Sequence, residues 1–163
     1  MSARQERGQA LVEFMLVTVM LMILIASMIE MMSLMHTYNT LADAAKEGVR
    51  YAIVHGSRNS CPSGPTNTTA IDGPAAPAGG VPGYCQPDAT SQYGVVKTYA
   101  QYSLHNISNL AVTVNYPDAA TGTVPKNGAP NRVQVVVSYP YAPFFFSWPT
   151  VTVDAAAEGR IMN

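Results

Sequence analysis

Charge is what this sequence has least of: 12% of its 163 residues are Asp, Glu, Lys or Arg, against about a quarter in ordinary globular domains. Nine basic residues face ten acidic ones, for a net charge of -1, and the basic ones are scattered. A phosphate-tracking surface is therefore excluded, and nucleic acid is not expected as a partner. Cysteine is nearly absent, with Cys61 and Cys85 alone. His36, His55 and His105 stand at no metal-ligand spacing, so no metal or other cofactor is expected. The chain also lacks G-x-S-x-G, H-E-x-x-H, the P-loop and G-x-G-x-x-G, and its sparse carboxylates have no spaced partner, so it is read as a non-enzyme.

What is abundant is concentrated. Seven of the nine methionines fall between Met15 and Met35, and the sixteen residues from Phe14 to Ile29 contain no ionisable side chain. Extended to Leu11 and Met35, the apolar run reaches 25 residues interrupted only by Glu13 and Glu30. At about 1.5 Å per residue such a helix spans a hydrocarbon layer of about 30 Å with some tilt. Arg4 and Arg7 precede the run and no basic cluster follows at once, which sets the N-terminus in the cytoplasm and exports the remainder.

A secretory signal peptide is the plain alternative, but two features oppose it. Glu13 falls where a basic leader would pass into its apolar core, and the helical pattern does not stop where that core stops. Leu41, Ala44, Ala45, Gly48 and Ala52 recur at three- and four-residue steps, with Asp43, Lys46, Glu47 and Arg50 mostly on the other side. The pattern predicts one helix from about Gln9 to about Val54. Residues 9–35 are its membrane-spanning part, and residues 36–54 continue outside with a small-residue stripe for a sheet to cover.

Residues 55–94 are Gly, Pro, Ser, Thr and Asn with little periodic apolar pattern, which reads as a long loop. Cys61 and Cys85 bracket most of it and are expected to form a disulfide. An exported compartment permits the bond, which would remove unfolded-chain entropy worth roughly 3.5 kcal/mol; two free thiols are the alternative. Residues 95–163 predict a short helix with Val96, Tyr99, Ala100, Leu104 and Ile107 on one face, followed by three strands. The strands lie around Val112–Val114–Tyr116, around Val133–Val135–Val137–Tyr139, and in the run beginning at Thr150. The class is α+β, a long N-terminal helix packed on a small antiparallel sheet. The aromatic run from Tyr139 to Trp148 could seal the sheet's end, touch the bilayer surface or dock a neighbouring subunit, with core packing as the default. Glu30 could be a polar contact between packed helices, and the plainer reading sets it at the outer boundary of the apolar span.

The octet Arg7-Gly8-Gln9-Ala10-Leu11-Val12-Glu13-Phe14 resembles the signature of TadE-like pilin proteins, and Leu41–Tyr51 resembles the stretch that follows their membrane helix. These are minor pilins, or pseudopilins, of the tight-adherence (Tad) branch of type IV pilus systems. The resemblance implies a pilin-like fold and a structural role in pilus biogenesis and adhesion. It implies an inner-membrane prepilin peptidase that cuts between Gly8 and Gln9, removing residues 1–8 as a cytoplasmic leader. Glu13 becomes the fifth residue of the mature chain, and many type IV pilins carry Phe where this chain has Gln9. The implied partners are the peptidase, the pilus assembly platform and other pilin subunits through the helix. In the assembly reading, Glu13 pairs with the α-amine of a neighbouring subunit, a charge exposed only by cleavage. The plain reading leaves it at headgroup depth in the first turn, where the helix dipole favours an anion. An anchored binding module that uses the long loop is the rival.

Overall fold

The computed structural model describes residues 3–57, 59, 63, 71, 94–104, 106–120, 128–129, 131–145 and 149–162. Cys61 and Cys85, and with them the expected disulfide, lie outside the described residues.

One helix, α1, runs unbroken over Ala3–Val54, 52 residues and about 78 Å. It starts six residues earlier than the apolar pattern predicts and ends at the predicted residue. Neither Gly nor Pro falls between Gln9 and Glu47, so nothing in that stretch breaks the ladder. Three hydroxyls on the apolar side of the chain are turned back onto the helix. Thr18 donates to the Phe14 carbonyl at 2.9 Å, Ser27 to the Ile23 carbonyl at 3.0 Å, and Thr37 to the Ser33 carbonyl at 3.0 Å. These bonds let polar side chains sit in a greasy stretch without orphaned donors.

The C-terminal end is closed by polar contacts. The Asn59 side-chain amide donates to the Val54 carbonyl at 3.0 Å, the Ser63 N–H to the His55 carbonyl at 2.8 Å, and His55 stacks on Tyr51 with ring centroids 3.9 Å apart. His55 is thus half-buried against the helix end, while His36 is exposed.

The sheet has order β1-β2-β3 and is antiparallel throughout, with β1 at Ala111–Asn115, β2 at Arg132–Tyr141 and β3 at Val151–Arg160. Together with the short helix α2, Val95–Ala100, it makes the α+β arrangement the pattern predicts. Alternation decides the inner face: Val133, Val135 and Val137 are fully buried, each worth about 1.5–3 kcal/mol of apolar transfer, and Gln134, Val136 and Ser138 point the other way. The helix α2 is shorter than its pattern suggests. Beyond Ala100 the chain continues in turns to Leu104, so Val96, Ala100 and Leu104 are buried but Tyr99 is exposed. The apolar spacing held one turn and a half of helix plus a turn, and the i+4 series alone faces α1.

The predicted small-residue stripe is where α1 meets the sheet. Leu41, Ala44 and Ala45 are wholly buried, and Val49 and Ala52 nearly so, against α2, β2 and β3. The sheet answers with small residues of its own: Val137, Val135 and Val133 of β2 pair with Ala155, Ala157 and Gly159 of β3. A β-carbon on Gly159 would lie 2.5 Å from Ile53 Cδ1, and one on Gly48 would lie 2.7 Å from Val96 Cγ2 and 3.3 Å from Val135 Cγ1. Each glycine leaves room for side chains of the facing elements, Ile53 and Val49 of α1 at Gly159 and Val96 and Val135 at Gly48. The solvent side of this half of α1 carries Lys46–Asp43 and Arg50–Glu47 ion pairs at 2.9 and 2.8 Å.

Two further ion pairs tie one end of the sheet. Arg132, at the start of β2, grips Asp118 of the 3-10 turn Pro117–Ala120 through its guanidinium at 2.8 Å and its backbone N–H at 2.9 Å, and reaches Glu158 at 3.0 Å. The Arg132 side-chain hydrogen bonds, and then its backbone N–H, hold the Asp118 carboxyl below the usual carboxylate range.

Two outcomes follow. Gly48→Val is expected to destabilise the head by about 1–3 kcal/mol in thermal or denaturant unfolding, because overpacking against Val96 and Val135 outweighs the roughly 0.5–1 kcal/mol gained by removing a mid-helix glycine. Asp118 is ionised more readily folded than unfolded, so its contribution is complete above the unfolded carboxyl value of about 4 and is lost as pH falls through the depressed folded value. The melting temperature should therefore drop more steeply between about pH 5 and pH 2 in the parent chain than in Asp118→Asn, measured by circular dichroism.

Candidate membrane and assembly helix

The two halves of α1 live in different surroundings. From residue 36 onward one face is covered by the head, whereas from Leu11 to Met35 the large apolar side chains other than the half-buried Leu34 are open: Phe14 is 70% exposed, Leu16 67% and Met20 68%. An isolated soluble domain would not leave so much contiguous apolar surface in water. The helix is long and apolar enough to cross a membrane and lies near the N-terminus, with no part of its most apolar window buried by the rest of the described chain. It is a candidate membrane anchor.

The residues singled out for processing and assembly sit along this open half. Gly8 lies within α1 with open space beside its Cα, so a β-carbon there would meet nothing within 4 Å. Gln9 and Glu13 are exposed on the same helix, one turn apart. The fold of a single chain brings none of the three against the head. Among the described residues no group of three or more His, Cys, Asp or Glu could hold a metal ion.

Glu30 has a larger role than a boundary marker. Its carboxylate accepts a hydrogen bond from the Tyr141 hydroxyl at 2.6 Å, from the Phe144 N–H at 3.1 Å to each oxygen, and from the Phe145 N–H at 3.3 Å. The end of β2 and the turn after it are thereby fastened to α1, five residues short of the end of the apolar run. Charge-assisted bonds of this kind are the stronger class. The signal was in the spacing: Glu30 is seven residues, two turns, before the buried Thr37 and eleven before Leu41, so it belongs to the head-facing stripe extended backwards.

The aromatic run does not pack as a core throughout, which corrects the default assignment. Tyr141 is buried at 8% exposure, but Phe144 is 88% exposed and Phe145 51%, their rings meeting edge to face at 5.5 Å. The turn spends its backbone N–H groups on Glu30 and turns its phenyl groups outward. Phe146 and Trp148 lie outside the described residues. Amide exchange at Phe144 and Phe145, followed by hydrogen–deuterium exchange mass spectrometry, should accelerate in Glu30→Ala while exchange in the β2–β3 ladder stays as in the parent chain.

Comparison with known proteins bears on α1 alone. No curated protein and no solved structure matches the chain. Residues 8–50 match the family model described as TadE-like protein, a match that begins at Gly8, contains Gln9, Glu13 and Glu30, and ends within the buried stripe. Over those residues α1 is similar to the TadE-like proteins that the model describes.

Proposed function

We propose that this protein is a minor pilin or pseudopilin, a structural subunit of a Tad-type pilus assembly apparatus that serves pilus biogenesis and adhesion and performs no catalysis. The observation that carries the reading is one uninterrupted helix whose N-terminal part is TadE-like and bare and whose C-terminal part is buried in a small α+β head. In this reading residues 1–8 are a cytoplasmic leader, 9–35 the inner-membrane span, 36–54 its continuation, 55–94 a loop closed by Cys61 and Cys85, and 95–163 the exported head. Prepilin peptidase cuts between Gly8 and Gln9. A glycine at that point lets the backbone enter a protease cleft in extended form, which a helical residue with a side chain resists.

Cleavage removes Arg4 and Arg7, the charges that hold the helix end at the cytoplasmic face, and exposes a new α-amine at Gln9. A carboxylate within the span is costly unless it is paired, by about 2.5–3.5 kcal/mol at the centre and less toward the edge. The α-amine of a neighbouring subunit supplies Glu13 with that pair, so processing becomes the precondition for lateral packing of helices. The assembly platform and other pilins are then the partners, through the open face of α1.

The test is N-terminal sequencing and intact mass of the protein from membranes with and without a prepilin peptidase. The expected products are a chain beginning at Gln9 in its presence and an uncut chain in its absence. Gly8→Ala should block the cut without loss of fold, since the site has no neighbour to disturb. Glu13→Ala should be cut and inserted yet missing from sheared pili. A chain that keeps its leader in the presence of the peptidase would favour a membrane-anchored binding module that enters no filament.

A further inference from the structure

The Glu30 clamp sets the tip of the β2–β3 connection at a definite height on the apolar rod. Between Leu11 and Met35 the rod is about 37 Å long, and a hydrocarbon layer of about 30 Å centred on it would end near Ser33. Glu30 is then about 4.5 Å inside the outer edge, and Phe144 and Phe145 are at its side. Met31 and Met32, next to Glu30 in the chain, remain 62% and 65% exposed, so the bare apolar surface of the rod extends to the level of the clamp.

The chemistry of the tip fits that depth. Backbone N–H groups are tolerated near hydrocarbon only when they are bonded, and those of Phe144 and Phe145 are given to the carboxylate. The carboxylate receives three donors in return, counting the Tyr141 hydroxyl. What faces outward is two phenyl rings. We propose that Phe144 and Phe145 enter the outer leaflet as a second, shallow membrane contact, and that Glu30 positions them there. The occupant of this face is lipid, because the clamp holds the exposed rings at a height that falls within the apolar span. The inference rests on the membrane-anchor reading of α1 and not on processing or filament entry.

Full-length chain carrying Trp148→Phe, with one tryptophan reintroduced as Phe144→Trp or Ile23→Trp, is reconstituted into phosphatidylcholine vesicles. Quenching is read with lipids brominated near the head of the acyl chain or near its methyl end. The expected result is that Phe144→Trp is quenched more by the shallow bromines and Ile23→Trp more by the deep ones. Adding Glu30→Ala to Phe144→Trp should remove the shallow quenching while circular dichroism stays that of the parent; retained quenching would overturn the positioning role. Quenching of Ile23→Trp alone would overturn the inference and leave the anchor standing, whereas no quenching at either position would remove the anchor as well. A Phe144→Trp emission that shifts to the blue only as protein is crowded in the vesicle, without bromine quenching, assigns the tip to a second copy and overturns the lipid assignment.

Discussion

One constraint governs this molecule: a single unbroken helix has to be bare and greasy along one stretch and tightly covered along the next. The covered stretch fixes the head. Its contact surface is rich in the smallest side chains, Ala44, Ala45, Gly48 and Ala52 on the rod and Ala155, Ala157 and Gly159 on β3, so the elements approach closely over a narrow seam and the larger Val49, Ile53 and Val135 fit into the spaces that the glycines leave. The bulk of the core is delegated to neighbours of that seam, with Leu41, Ile71, Val96 and the three inward valines of β2 filling the space around it.

Because the seam is narrow, the contacts beyond it matter more. At one end of the head the Tyr51–His55 stack and the polar closure from Asn59 and Ser63 finish the rod, and Met162 donates to the Ile53 carbonyl at 3.3 Å, bringing the last strand's exit to the same place. At the other end Glu30 is the fastening. Arg132 performs the analogous service at one end of the sheet by joining the 3-10 turn, β2 and β3 through two carboxylates. The head is thus held by apolar packing in the middle and by ionic hydrogen bonds at its margins.

Much of this was legible in the residues. Period 3.6 from Leu41 to Ala52 identified the covered face, period 2 in β2 identified the inner valines, and the run from Leu11 to Met35 identified the bare stretch. Two features escaped for physical reasons. Tyr99 lies within α2 yet is exposed, because the i, i+4 positions Val96 and Ala100 take the buried face; α2 itself closes after Ala100, and its length is set by turn contacts that periodicity does not report. The spacing of Glu30 placed it on the head-facing stripe, but its partner at Phe144 is more than a hundred residues away, and a contact made mostly by backbone N–H groups does not name its partner in side-chain chemistry. Gly8, Gln9 and Glu13 were found through a local motif, and the fold of one chain gives them open surroundings with no contact to the head. The reading of Cys61 and Cys85 came from composition and spacing, and both lie outside the described residues.

The fastening at Glu30 and the closure beyond Ile53 stand some 23 residues apart on the rod, about 35 Å. A body gripped at two such distant points cannot spin about the shaft on which it is mounted. Turning the shaft by the angular step of one residue, about 100°, must carry the globular part through the same angle. In any array of these shafts, the azimuth at which each globular part looks outward is dictated by how the shafts nest, and a change in nesting angle is displayed at the outer surface without loss.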